Sequence, residues 1–119
     1  MTKEHTKGFT LIGLVEPATD DLIEAFNDWY LGNHVEDTFR APVVTKARVL
    51  RAAKPFLDFA PPGAYVAIYE LEGESAAAVE AALLAYQQDP EGWSGRVPNN
   101  GSLGVIGAGF YEEVLSFGD

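Results

Sequence analysis

Apolar positions along the chain change their period in an orderly way. From Phe9 to Val15 the residues Phe-Thr-Leu-Ile-Gly-Leu-Val form a short, mostly apolar run bounded by Glu16-Pro17, which predicts a buried strand. Leu22, Phe26, Trp29 and Asn33 then recur at helical spacing and predict an amphipathic helix over 20–33. Asp20 and Asp21 are placed to cap its start, with Glu24 positioned for a capping box from Asp21. Gly32 is a poor helix former and should loosen the last turn. After Pro42, alternation over 43–51 predicts a second strand. Lys54-Pro55 and Pro61-Pro62-Gly63 make 52–63 a loop with turns. Tyr65, Ala67, Tyr69 and Leu71 then alternate with Val66, Ile68 and Glu70, which predicts a third strand over 65–71. Ser75 caps a second helix carrying Ala76, Val79, Leu83 and Tyr86 at three- and four-residue intervals. A long connection over 89–102 holds Pro90, Trp93, Arg96, Pro98 and Asn99-Asn100-Gly101, and a last strand is expected from about Gly104 to Leu115.

Strand, helix, strand, strand, helix, strand is the order of the split βαβ, or ferredoxin-like, unit: an α+β fold of four antiparallel strands with two helices on one face. At 119 residues the chain fits one such domain, with its ordered core over about 9–115. The first and third strands are apolar on both faces. A lone domain would expose the helix-free face as a large apolar patch, so two copies packing sheet against sheet, a homodimer, are expected.

Composition narrows the chemistry. Nearly half the residues (47%) are apolar or aromatic, enough for a core, and there are no cysteines. Disulfides, thiolate metal sites, iron–sulfur clusters and a cysteine nucleophile are therefore excluded. The first seven residues, Met1 to Lys7, are polar and mixed in charge, and no later run reaches the roughly 20 apolar residues of a membrane span. A soluble cytoplasmic protein with no membrane partner is the expectation. Eighteen acidic against eight basic side chains give a net charge of −10. Lys46, Arg48 and Arg51 are the nearest approach to a basic cluster, so nucleic acid is not an expected partner.

Candidate chemistry concentrates in Phe26-Asn27-Asp28-Trp29-Tyr30-Leu31-Gly32-Asn33-His34-Val35-Glu36-Asp37. Tyr30 and His34 lie four residues apart and are neighbours if the helix reaches that far. Asp37 and Thr38, three and four residues beyond His34, could each orient the imidazole, and a carboxylate there would raise its pKa. An imidazole beside a phenol and an indole, near an apolar pocket, can transfer protons. Equally, Phe26 and Trp29 suit a core, His34 could stabilise a helix C-terminus by its charge, and Asp37 could pair with Arg40. His5 falls in a terminal segment expected to fray and is set aside. Tyr65, Tyr69 and Tyr111 lie on strands, where alternation does not decide between a helix-facing and a partner-facing side, while Arg48 and Arg51 fall on opposite strand faces. Trp93 could cap a pocket as a lid or anchor its loop.

The stretch Phe26-Asn27-Asp28-Trp29-Tyr30, then His34, then Pro42 and a strand ending near Arg51, resembles the EthD-like group of dimeric α+β-barrel proteins. So does the segment Tyr65-Val66-Ala67-Ile68-Tyr69-Glu70-Leu71-Glu72. The resemblance implies a dimeric barrel and a hydrophobic cavity between sheet and helices, with His34 reaching into it. It departs from the commoner pattern at Leu31-Gly32-Asn33, where acidic residues are frequent, and at Glu36-Asp37, where a proline and a carboxylate are. No phosphate loop, dinucleotide fingerprint, Gly-x-Ser-x-Gly elbow or zinc-ligand spacing occurs. The inventory fits a cofactor-free acid–base enzyme better than a metal or nucleotide enzyme; taken with the resemblance, the expectation is a cofactor-independent lyase, dehydratase, isomerase or cyclase acting on a hydrophobic, aromatic or polyketide-like small molecule. In that reading His34 is general acid or base, Tyr30 a second acid and Asp37 the orienting group. Phe26, Trp29, Asn33, Tyr65, Tyr69, Trp93 and Arg48 would contact substrate. On the same fold the alternatives are haem ligation by His34, a cofactor-free monooxygenase, or a non-catalytic ligand-binding stress protein.

Overall fold

Four strands carry the frame. In a computed structural model describing residues 6–118, β1 spans Lys7–Pro17, β2 Val44–Arg51, β3 Tyr65–Gly73 and β4 Leu103–Tyr111. His5 lies outside the described residues. The sheet order is β2-β3-β1-β4, and each neighbouring pair is antiparallel. The two most apolar runs, β1 and β3, occupy the centre, where both edges of each are hydrogen-bonded. Two helical segments complete the α+β fold: α1 over 20–39 and α2 over Ala76–Gln88. The arrangement is consistent with the ferredoxin-like type. No helix among the described residues is long and apolar enough to cross a membrane.

Alternation decides which face holds the core. Phe9 and Val15 of β1, and Ala67, Tyr69 and Leu71 of β3, are buried together with Phe26, Trp29 and Tyr30 of α1 and Val79 and Leu83 of α2. The intervening residues Ile12, Leu14, Val66 and Ile68 point the other way and are half-buried. Gly73 lets α2 approach β3: a Cβ there would lie 2.6 Å from Val79 Cγ2. Ser75 caps α2 as its side chain accepts from the Ala78 N–H at 3.1 Å, satisfying one of the orphan donors of the first turn.

Three boundaries differ from the sequence-based expectation. The first helix does not end at Asn33 but runs to Phe39, with a wider winding over Asn27–His34 that includes Gly32. The capping box from Asp21 is absent: a short 3₁₀ turn over Asp20–Leu22 opens the segment, and Asp21 instead accepts from the Thr19 hydroxyl. Strand β4 ends at Tyr111, and 112–118 continues without regular structure. In the 52–64 loop Phe56 and Phe59 form an isolated bridge around Leu57, which takes φ 54°.

Phe26 is fully buried, its ring stacked on Tyr30 (4.9 Å) and on Tyr65 (5.3 Å), so it joins α1 to β3. Phe26→Ala should destabilise the protein by about 3–5 kcal/mol, measured as a lowered midpoint in urea unfolding.

Candidate active site

Helix winding places the histidine. In an α-helix, residues five apart point about 140° away from each other. Over Asn27–His34 the helix is instead a π-helix, whose hydrogen bonds run from residue i to i+5, as in Val35 N–H to the Tyr30 carbonyl. The wider turn brings both Trp29 and Tyr30 beneath the same imidazole. The Trp29 indole stacks on His34 with centroids 4.7 Å apart, and the Tyr30 ring sits 5.4 Å away. Such π-turns recur at functional sites.

His34 faces a cavity of about 140 Å³ between sheet and helices. Small side chains create the space. Gly13 on β1 is in register with Ala67 on β3 and Ala108 on β4, so the middle of the floor carries almost no side-chain volume. Leu11, Val15 and Leu83 supply apolar walls, and Tyr30, His34, Thr38 and Tyr69 the polar ones. Ala108 and Val105 also line it and are exposed, which puts the mouth beside β4. A second pocket of about 320 Å³ lies on the other side of His34, among Trp29, Asp37, Arg96 and Asn99. His34, Gln87 and Leu103 line both spaces and form the partition.

Burial sets the charge state of these groups. Desolvation lowers the His34 pKa from its ordinary 6.5; the nearby Asp37 carboxylate opposes this and the Arg96 guanidinium adds to it. The imidazole is therefore neutral at pH 7, able to accept a proton. Desolvation likewise raises the Tyr30 and Tyr69 phenols, Tyr69 further still through Tyr30, so both remain protonated donors. The Tyr69 and Thr38 hydroxyls are buried and complete no hydrogen bond of good geometry among the described residues, although Tyr30 and Thr38 neighbour the phenol closely.

Asp37 does not orient His34. Its Oδ1 accepts from the Tyr86 hydroxyl at 3.0 Å and its Oδ2 from Arg96 Nε at 2.7 Å. Nor does it pair with Arg40, which bonds Glu36 one turn back at 2.7 Å. Arg96 in turn donates to the Tyr86, Gln87 and Asp89 carbonyls at the end of α2, where its charge meets the negative end of the helix; the Tyr86 and Asp89 carbonyls also accept from the Asp89 and Gly92 N–H groups. The same connection is held elsewhere on α1. Asn33 Nδ2 donates to the Gly95 carbonyl (2.8 Å), Asn33 Oδ1 accepts from Val97 N–H (2.9 Å), and the Trp29 indole donates to the Val97 carbonyl (3.0 Å). Asn100 Nδ2 reaches the Ala25 carbonyl at 3.0 Å. The 89–102 connection is thus a strap tied along α1.

Of the expected residues, His34, Tyr30 and Tyr69 meet at the inner cavity, and Trp29 backs His34 from the outer pocket. Asn33 holds the strap rather than the cavity, because both ends of its amide are occupied there. Phe26 is core, and Tyr65 stacks on it beside a separate groove near Glu16 and Ile23. Trp93 is no lid: it lies under the Arg40 guanidinium, 4.5 Å from its ring centroid. Arg48 pairs with Ile68 on the helix-free face and is exposed, so strand alternation turns it away from the cavity; Tyr111 is also exposed. The sequence reading missed Arg96 as a site-shaping residue. Its signal was a lone cation between glycines and prolines in an acidic chain, facing a helix end that lacks a basic cap. Among the described residues no group of three or more His, Asp and Glu is placed to hold a metal ion.

No family model matches the chain, and neither does any curated protein. Among solved structures the chain is similar to HapK from Hahella chejuensis, with a TM-score of 0.55 and 18% identity over 93% of this chain and 97% of that one. At this identity the likeness is one of fold.

The strap gives a direct test of the ionic anchor. Asp37→Ala leaves the Arg96 guanidinium without its carboxylate and the Tyr86 hydroxyl without its acceptor. It should cost about 3 kcal/mol in urea unfolding and speed amide exchange at Val97.

Proposed function

We propose that this protein is a cofactor-independent acid–base enzyme of the lyase, isomerase or cyclase type. It would act on a hydrophobic, aromatic or polyketide-like molecule as an EthD-like member of the dimeric α+β-barrel group. The observation that carries the reading is a neutral imidazole, His34, set in an apolar cavity beside two protonated phenols, Tyr30 and Tyr69. His34 would take a proton from an acidic carbon of the substrate, and Tyr30 would hydrogen-bond the oxygen on which charge develops. Trp29, stacked on the imidazole, holds its plane, and Asp37 serves the site by fixing the strap over α1.

The working unit in this reading is a homodimer. The helix-free face exposes Leu50 and Ile106 next to half-buried Ile12 and Ile68, and the loop carrying Phe56, Leu57 and Phe59 and the tail carrying Val114, Leu115 and Phe117 are exposed as well. A second copy supplies an apolar face of the same kind and would cover all three.

Two measurements test these statements. In D₂O, deuterium incorporation alpha to the carbonyls of cyclic 1,3-diketones and aryl ketones, followed by proton NMR, should exceed the buffer rate. A folded His34→Ala protein should lose on the order of 10²–10⁴-fold. The acid limb of the profile should lie below pH 6.5, because burial lowers the His34 pKa and the base form persists into mild acid. Ligand retention without any exchange would favour a binding protein instead, and full exchange in His34→Ala would remove His34 from the chemistry. In light scattering the 12.9 kDa chain should run at twice its mass. Ile68→Asp, on the helix-free face, should return it to a monomer.

A further inference from the structure

Two buried hydroxyls in the inner cavity neighbour each other and Tyr30 without completing a hydrogen bond of good geometry. Tyr69 is 5% exposed and Thr38 2%, and neither Tyr69 Oη nor Thr38 Oγ1 is satisfied. A buried hydroxyl without a well-aligned partner is costly, so native interiors rarely hold two in one place without something that binds there. Both line the same small cavity as His34. A water molecule could bond to them, but it would leave the apolar walls of Leu11, Val15 and Leu83 uncovered.

Size and charge narrow what belongs there. The cavity volume is about 140 Å³, close to the ~150 Å³ apolar cavity that admits benzene. No Lys, Arg, Asp or Glu is among its lining residues, and Arg96, just outside, is engaged by Asp37. A carboxylate would enter without a counter-charge and lose its hydration. An uncharged oxygen would accept from the two hydroxyls at little desolvation cost.

We propose that the inner cavity is a subsite for one uncharged six-membered ring carrying an oxygen, and that Tyr69 Oη and Thr38 Oγ1 hold that oxygen. The proposal rests on the acid–base reading of the same site and names the substrate group it grips. Gly13, at the centre of the floor, is the room the ring occupies. A Cβ at Gly13 would meet Val15 and Ala67 only at 3.9 and 4.0 Å, so the position tolerates a side chain in the empty protein.

The test reads binding, by calorimetry, with phenol, toluene and benzoate as probes of matched ring size. Wild type should bind phenol about tenfold more tightly than toluene, the worth of one or two hydrogen bonds, and benzoate more weakly than either. Tyr69→Phe and Thr38→Val should each bring phenol towards the toluene affinity while leaving toluene unchanged. Gly13→Val should abolish binding of both without lowering the melting temperature. Equal affinity for phenol and toluene, or benzoate binding tightest, would overturn the proposal. So would a Tyr69→Phe protein that melts lower without ligand, since the hydroxyl would then have a protein partner. Because none of these readouts depends on turnover, a His34→Ala protein that stays active would sink the acid–base reading while a retained phenol preference leaves this subsite standing.

Discussion

Three separate parts of the chain meet at the Asp37 carboxylate. It belongs to the last turn of α1, one oxygen takes the Tyr86 hydroxyl of α2, and the other takes Arg96 of the strap. Arg96 also bonds the carbonyls that close α2, so one guanidinium joins a helix end, a loop and a carboxylate from another helix. A planar cation with five donors suits this task, where lysine would offer a point charge. Besides this junction, α1 is tied to the strap that follows α2 through Asn33, Trp29 and Asn100. The partition of His34, Gln87 and Leu103 between inner cavity and outer pocket depends on the two helices that roof the cavity staying in place.

Within this frame the π-winding sets the local chemistry. An α-helical turn would offer His34 the neighbour at i−4 but turn the one at i−5 aside; the wider turn delivers both Trp29 and Tyr30. The imidazole is flanked by rings and removed from water, and Asp37, the nearest carboxylate, is directed elsewhere. That combination explains why burial prevails over the carboxylate and the pKa falls rather than rises. The site is built for a neutral base and neutral donors.

Much of the frame was legible in the residue pattern. The alternation of Tyr65, Ala67, Tyr69 and Leu71 put these residues on one face of β3 without deciding which face is buried, and Ser75 marked the start of α2. Both signals are local: a strand repeats every two residues, and an N-cap needs one side chain near its own backbone. The aromatic segment ending at His34 was legible as a candidate site for the same reason, since Tyr30 and His34 are close in sequence. Asp37 misled because its spacing from His34 fits a helical pair, while its actual partners lie 49 and 59 residues away. Trp93 and Arg48 misled in a similar way: a residue type suited to a pocket carries no information about which side of a loop or sheet it will occupy.

The sequence by itself determined an α+β fold of four strands and two helical segments, the absence of cysteine, and the clustering of ring side chains around one histidine. Those follow from composition and from periodicities that span a few residues. Tertiary structure alone decided that Gly13, Ala67 and Ala108 would line up to leave a cavity, that Arg96 would bond Asp37, and that the Tyr69 and Thr38 hydroxyls would be buried side by side at that cavity. Each outcome requires residues from different strands and loops to arrive at one point. Which donor then reaches which acceptor depends on packing distances that no local pattern encodes.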